Sequence, residues 1–133
     1  MPVSVSWLFE NQVIFIKLEG VVTADAALES IKQTAAMLDT VPTPVYLLFD
    51  DRELTQSPGI STFRRARTKM PDFVCVLSVS PKNPVQRFVA KTITTLFGRT
   101  IIFFDDMPAA LEHLYNEVPE LRESTPDFEI SPG

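Results

Sequence analysis

The chain has 133 residues, of which 45% are apolar and 22% charged, and its net charge is −5. This composition predicts one globular domain that buries a core without metals or disulfides, and it excludes an intrinsically disordered chain. The single cysteine, Cys75, has no internal disulfide partner, and no segment contains the roughly 20 apolar residues that a membrane span needs. Because no basic leader precedes a long apolar run, we expect a cytoplasmic protein.

The N-terminal segment predicts a β-hairpin. Val3, Val5, Trp7 and Phe9 alternate with Ser4, Ser6 and Glu10, as in a strand with one well-covered face, and residues Val13 to Leu18 are predicted to form the antiparallel return strand. Asn11 lies between the two stretches and tolerates the positive φ of a tight turn. After Gly20, Thr23 can cap a helix in which apolar residues recur at helical spacing up to Leu38.

The central strand of the predicted sheet is the unbroken apolar run from Val45 to Phe49. Such a run is typical of a parallel strand that is covered on both faces. It ends in Asp50 and Asp51, and we expect residues 52–56 to form a polar loop. Ligands and partners usually meet an α/β fold at the carboxyl ends of its strands, so this rim is the predicted working surface.

Two helix and strand units follow. Ser57 and Pro58 predict the start of a second helix that runs to about Met70. The next buried strand is predicted from Phe73 to Val79. A third helix is predicted to start at Asn83-Pro84 and to end at Gly98, and its expected apolar face consists of Val85, Phe88, Val89, Ile93 and Leu96.

The last predicted strand runs from Thr100 to Phe104, and a fourth helix follows Asp105-Asp106. The elements together predict an α/β domain over residues 1–118. Its mixed five-stranded sheet consists of an antiparallel hairpin followed by parallel strands, with four right-handed crossover helices. Residues 119–133 form an acidic, proline-containing tail that we expect to be either partly mobile or packed on the body.

Four segments of this pattern resemble the STAS fold. They are Lys17-Leu18-Glu19-Gly20-Val21-Val22-Thr23, the strand ending in Asp50, the Asn83-Pro84 helix start, and the segment from Phe103 to Leu114. Over residues 3 to about 118 the chain resembles anti-sigma-factor antagonists and the cytoplasmic tails of sulfate transporters, in the SpoIIAA-like branch. The resemblance implies a regulatory protein-interaction domain.

The resemblance also implies a place for regulation. In the regulatory members, a serine after the central strand is phosphorylated, within a pattern of an aspartate, two small hydroxyl residues and a glycine. This chain lacks that aspartate and the adjacent serine pair, so Ser57 and then Ser61 are the candidate phosphoacceptors. The alternative is that Ser57 is only a helix N-cap.

The charges are distributed unevenly along the chain. Residues 60–104 contain eight basic side chains and one acid, whereas the rest contains four basic and sixteen acidic ones. A basic face can attract an acidic protein or an anionic ligand, although solvated helix faces explain the same pattern. Nucleic acid is not expected as a partner because the overall field is negative. The predicted partner-binding residues are Asp50, Asp51, Arg52, Arg64 and Arg65.

The predicted partner is a protein, such as a kinase-type or anti-sigma regulator, and a homodimer is a further expectation. The alternative function is the binding of a lipid or an anionic small molecule in a cavity beneath Arg87 and Lys91.

Catalysis is not predicted. The aspartate pairs 50–51 and 105–106 resemble a Mg²⁺ site, but helix capping and loop solvation also explain them, so neither a metal nor another cofactor is expected. Cys75 and the lone His113 have no partner in a recognisable catalytic motif.

Overall fold

The structure is a computed structural model that describes residues 2–41, 45–64, 72–80, 83–96 and 98–128. In this part of the chain, five strands form one mixed sheet in the order β1-β2-β3-β4-β5. The first pair is antiparallel and the other three pairs are parallel, as predicted. The strands are β1 (Val3–Phe9), β2 (Val13–Val21), β3 (Tyr46–Gln56), β4 (Val76–Val79) and β5 (Ile101–Phe104).

The helices alternate with the parallel strands. They are α1 (Ala24–Leu38), α2 (Ile60–Arg64), α3 (Pro84–Leu96), α4 (Met107–Glu117) and a C-terminal 3₁₀ helix (Pro119–Glu123). The first three connect successive parallel strands, whereas α4 follows the last strand and covers the opposite face of the sheet.

Local sequence signals determine several of the turns and helix starts. Thr23 Oγ1 accepts a hydrogen bond from the Ala26 amide at 3.2 Å, and Asp106 Oδ1 accepts one from the Ala109 amide at 2.9 Å. Asn83 Oδ1 accepts hydrogen bonds from the first amides of α3 at 3.0 and 3.2 Å. Asn11 has a φ of 63° in the hairpin turn. These positions confirm the predicted caps and turn.

The core lies on both faces of the sheet, because alternate residues of each strand point to opposite sides. On one face, Leu48 and Leu77 pack with Met107 and Leu114 of α4. On the other, helices α1, α2 and α3 cover Ile14, Ile16, Leu47 and Val76.

Strand β3 is longer than the sequence suggested, so the prediction of a polar loop over residues 52–56 is wrong. Strand β2 also continues, to Val21, and the added residues pair in parallel, with Glu19 opposite Glu53 and Gly20 opposite Leu54. The neighbouring strand satisfies the backbone groups of this polar segment. Polarity alone therefore did not end the strand.

Helices α2 and α3 also differ from the prediction. Helix α2 begins at Ile60, so Ser57 lies before it and is not its N-cap. The predicted remainder of that helix, residues 65–70, falls outside the described residues. In α3, Val85 and Phe88 are 73% and 67% exposed. Val89 and Ile93, which belong to the same predicted face, do line the cavity beneath the helix.

The described part of the C-terminal tail packs on the body. Leu121 is buried in the core beside α4. The Asp127 amide donates a hydrogen bond to the Leu8 carbonyl at 2.7 Å, and the Phe128 ring lies 5.3 Å from that of Phe15. These contacts extend the cover of this sheet face beyond α4.

Candidate functional site

A cavity of about 150 Å³ lies between the sheet and helices α1, α2 and α3. Aliphatic and aromatic side chains form most of its wall, including Ile16, Leu47, Phe49, Val76 and Ile101. Engineered protein cavities of about this volume, lined by similar side chains, bind benzene. The site is therefore large enough for a small organic molecule.

Among the described lining residues, one carboxyl group interrupts this apolar wall. Asp51 follows Leu47 and Phe49 on the same face of β3, and it lines the cavity. Only 7% of its surface is exposed. The Ser78 hydroxyl donates a hydrogen bond to Asp51 Oδ2 at 3.2 Å, whereas Oδ1 has no hydrogen-bond partner among the described residues. A buried acceptor without a partner is rare in native proteins, and it marks this side chain for attention.

Burial changes the ionisation of this carboxyl. It raises the pKa of Asp51 from 3.8 to about 7, with the hydrogen bond from Ser78 opposing the rise and the charge of Asp50 adding to it. The free protein therefore contains both protonation states of Asp51 near neutral pH. Strongly shifted groups in clefts are functional-site candidates.

The neighbouring Asp50 points to the opposite face and has a different environment. Its carboxylate is buried, and it accepts hydrogen bonds from Arg52 Nε and Nη2, both at 2.9 Å. This bidentate pair compensates the buried charge. The expectation that Asp50 and Asp51 are solvated on a loop is wrong, because both are buried residues of β3.

The other residues predicted to bind a partner or to accept a phosphate are more dispersed. Arg64 is exposed at the end of α2, and Arg65 lies outside the described residues. Ser61 is exposed on α2, while Ser57 is an exposed residue that also lines the cavity.

The predicted anionic-ligand pair, Arg87 and Lys91, lies on α3 outside the cavity lining. Arg87 Nη2 donates hydrogen bonds to the Ser80 carbonyl and to Asp105 Oδ1, both at 3.1 Å. Its guanidinium also lies 5.1 Å from the centre of the Phe103 ring. Lys91 is exposed.

The aspartate pairs do not converge on one site. Asp50 and Asp51 face opposite sides of the sheet, Asp105 contacts Arg87, and Asp106 caps α4. Among the residues that the structure describes, no three His, Cys, Asp or Glu side chains group as metal ligands would.

The single cysteine and histidine lie apart from the cavity. Cys75 is buried in the core on the α4 face, and burial raises the pKa of its thiol. The imidazole of His113 lies 5.5 Å from the Phe104 ring.

The sequence analysis named Asp51 as a partner-binding residue of the rim, but it did not predict that Asp51 and Ser78 meet at the wall of a cavity. The signal was present: if β3 continues beyond Phe49, then residues 47, 49 and 51 share one face. Ser78 is the polar residue of the otherwise apolar strand β4, and strand alternation places it on the same face as Val76.

The strand order, the N-terminal hairpin and the helix positions define a SpoIIAA-like α/β fold. A solved structure of this class is similar: an uncharacterised protein from the DUF3478 family with a SpoIIAA-like fold, from Shewanella loihica PV-4. The two chains are 18% identical, with a TM-score of 0.59, and the match covers 84% of this chain and 91% of the other. This similarity confirms the predicted fold.

No protein-family model matches the sequence, and no curated protein does. Within the described ranges, none of the helices has the length and apolar character to cross a membrane.

Proposed function

We propose that this domain binds a small, largely apolar molecule in the cavity between the sheet and helices α1, α2 and α3. The observation that carries the proposal is the cavity itself. Protein interiors are close-packed, so an apolar pocket of about 150 Å³ between packed elements is unusual. Concave, mostly apolar pockets with a few polar groups are the usual sites of small-molecule binding.

The chemistry of the wall narrows the choice of ligand. Of the cavity-lining residues that the structure describes, only Asp51 is ionisable, and none is basic. An anionic molecule would meet this carboxylate without a compensating cation. The wall therefore favours the apolar part of the predicted alternative over the anionic part.

Toluene is a suitable probe because it matches the cavity in size and carries no polar group. We expect it to shift the methyl resonances of Leu47, Val76 and Ile101 in two-dimensional ¹H–¹³C NMR spectra. Ala90→Leu fills the cavity from α3 and should abolish these shifts. Ala36→Leu makes the same substitution on an exposed position of α1 and should leave them intact.

Circular dichroism first establishes that both variants remain folded. If toluene leaves the cavity methyl groups unshifted in the wild type, or shifts them equally in Ala90→Leu, the cavity is not a binding site.

A second candidate function is the protein docking that the STAS resemblance implies. The observation that favours it is the pair Val85 and Phe88, which are exposed one turn apart on α3. Clustered exposed apolar side chains mark interaction surfaces more often than isolated ones do.

A pull-down from the native cell tests this candidate. It compares the wild type with Phe88→Ser on α3 and with the double variant Arg64→Glu/Arg65→Glu. A partner lost only with Phe88→Ser docks on α3, and one lost only with the double variant docks on the basic pair Arg64 and Arg65. Equal capture by all three proteins would exclude both surfaces.

A further inference from the structure

We infer that the ligand of this cavity is a small primary amine, whose ammonium group binds Asp51 while its apolar body fills the remaining volume. This inference rests on the proposed function and names the chemical class of the ligand.

The charge of Asp51 is complementary to that of an amine. Asp51 Oδ1 is buried without a hydrogen-bond partner among the described residues, on a wall that is otherwise mainly hydrocarbon. A buried carboxylate is costly unless it is paired and hydrogen-bonded. An ammonium group supplies both the opposite charge and a charge-assisted hydrogen bond, which is about twice as strong as a neutral one.

The hydrogen bonds around the cavity also favour a ligand that donates. Four hydroxyl groups on its wall already donate their only proton inside the protein. Ser30 and Thr34 donate to α1 carbonyls at 2.7 and 2.8 Å, and Thr94 donates to an α3 carbonyl at 2.9 Å. Ser78 donates to Asp51 at 3.2 Å. These hydroxyl oxygens retain only acceptor capacity, as the carboxylate does.

The remaining polar side chains do not change this balance. Ser57 is exposed, and Gln86 is half-buried and carries one acceptor together with one amide group that donates. An ammonium group has three donors and no acceptor. It therefore matches a wall rich in acceptors better than a carboxylate or a carbonyl compound does.

The size of the site limits the body of the amine. About 150 Å³ accommodates a benzene-sized group. Benzylamine, toluene and benzoate share that ring and differ in the charge of the substituent, so they form a matched series of probes.

The test measures the affinity of the three compounds at about pH 8 by methyl NMR titration. At this pH Asp51 is ionised, since its pKa is about 7. The proteins are the wild type, Asp51→Asn, and Glu53→Gln as the matched control. Glu53 is an exposed carboxylate two residues further along the same strand, and its replacement also removes one negative charge.

We expect benzylamine to bind the wild type and Glu53→Gln about 10- to 100-fold more tightly than it binds Asp51→Asn, the range that one hydrogen bond to a charged group provides. Toluene should bind all three proteins with similar affinity. Of the three compounds, benzoate should bind the wild type most weakly.

If toluene binds but benzylamine gains nothing from Asp51, the amine assignment is wrong and the proposed function stands. If none of the compounds shifts the cavity methyl groups, both are wrong. An equal loss of benzylamine affinity in Glu53→Gln would attribute the preference to overall charge and would also overturn the assignment.

Discussion

Replacing Asp51 with asparagine removes an ionisable group from the cavity wall while preserving its shape. In the unfolded chain this carboxyl has the ordinary pKa of 3.8, and burial raises it to about 7 in the folded protein. Between these pH values, the folded protein keeps a proton that the unfolded chain has lost. A rise in pH therefore favours unfolding, and the effect levels off above about pH 7.

The size of the effect follows from the two pKa values. They differ by about 3, and each pH unit between them corresponds to about 1.4 kcal/mol, so Asp51 lowers the free energy of unfolding by about 4 kcal/mol between about pH 4 and pH 8. Asparagine does not titrate. The variant Asp51→Asn should equal the wild type in stability at about pH 4 and exceed it by up to about 4 kcal/mol at about pH 8.

Urea unfolding followed by circular dichroism measures this difference at each pH. Subtracting the wild-type free energy from that of the variant cancels the other titrating groups. Glu53→Gln serves as the control, and its difference from the wild type should change much less over the same range. If the difference in stability between Asp51→Asn and the wild type is the same at all pH values, burial does not raise the pKa of Asp51.

Three further changes test the packing and capping of the fold. The Leu114 side chain is fully buried beneath α4. Leu114→Ala should therefore lower the free energy of unfolding by about 2–5 kcal/mol, the usual range for a buried leucine. A loss below about 1 kcal/mol would contradict this packing. Arg52→Met leaves the Asp50 carboxylate buried without its bidentate partner and should cost about 3–5 kcal/mol in urea unfolding, whereas an unchanged midpoint would show that this pair contributes nothing. Asp106→Ala removes the α4 cap and should lower stability by about 1 kcal/mol, with a neutral result indicating that the cap is replaced.

The elements whose signals are local could be predicted from the sequence. Thr23, Asn83 and Asp106 cap helices as expected, since a cap depends on a few adjacent residues. The parallel strands were also recognisable, because strands covered on both faces are continuously apolar.

The features that depend on neighbouring elements could not be predicted in the same way. The polar end of β3 remains a strand only because β2 extends beside it. The exposure of Val85 and Phe88 depends on how α3 is rotated on the sheet. Both are set by tertiary contacts that local sequence does not encode.

The candidate site, too, could be predicted only in part. The sequence singled out Asp50 and Asp51 at the rim, and both are buried in β3. It did not show that Asp50 pairs with Arg52 whereas Asp51 faces a cavity. That distinction follows from strand alternation, and it depends on knowing that the strand continues.

An isotope-filtered NOE experiment on ¹³C-labelled protein with unlabelled benzylamine tests the central claim most directly. The account predicts NOEs from the ring protons to the methyl groups of Leu47, Val76 and Ile101. It also predicts NOEs from the methylene group beside the ammonium to the β protons of Asp51 or Ser78. NOEs confined to exposed methyl groups such as those of Val85, or none at saturating ligand, would contradict it.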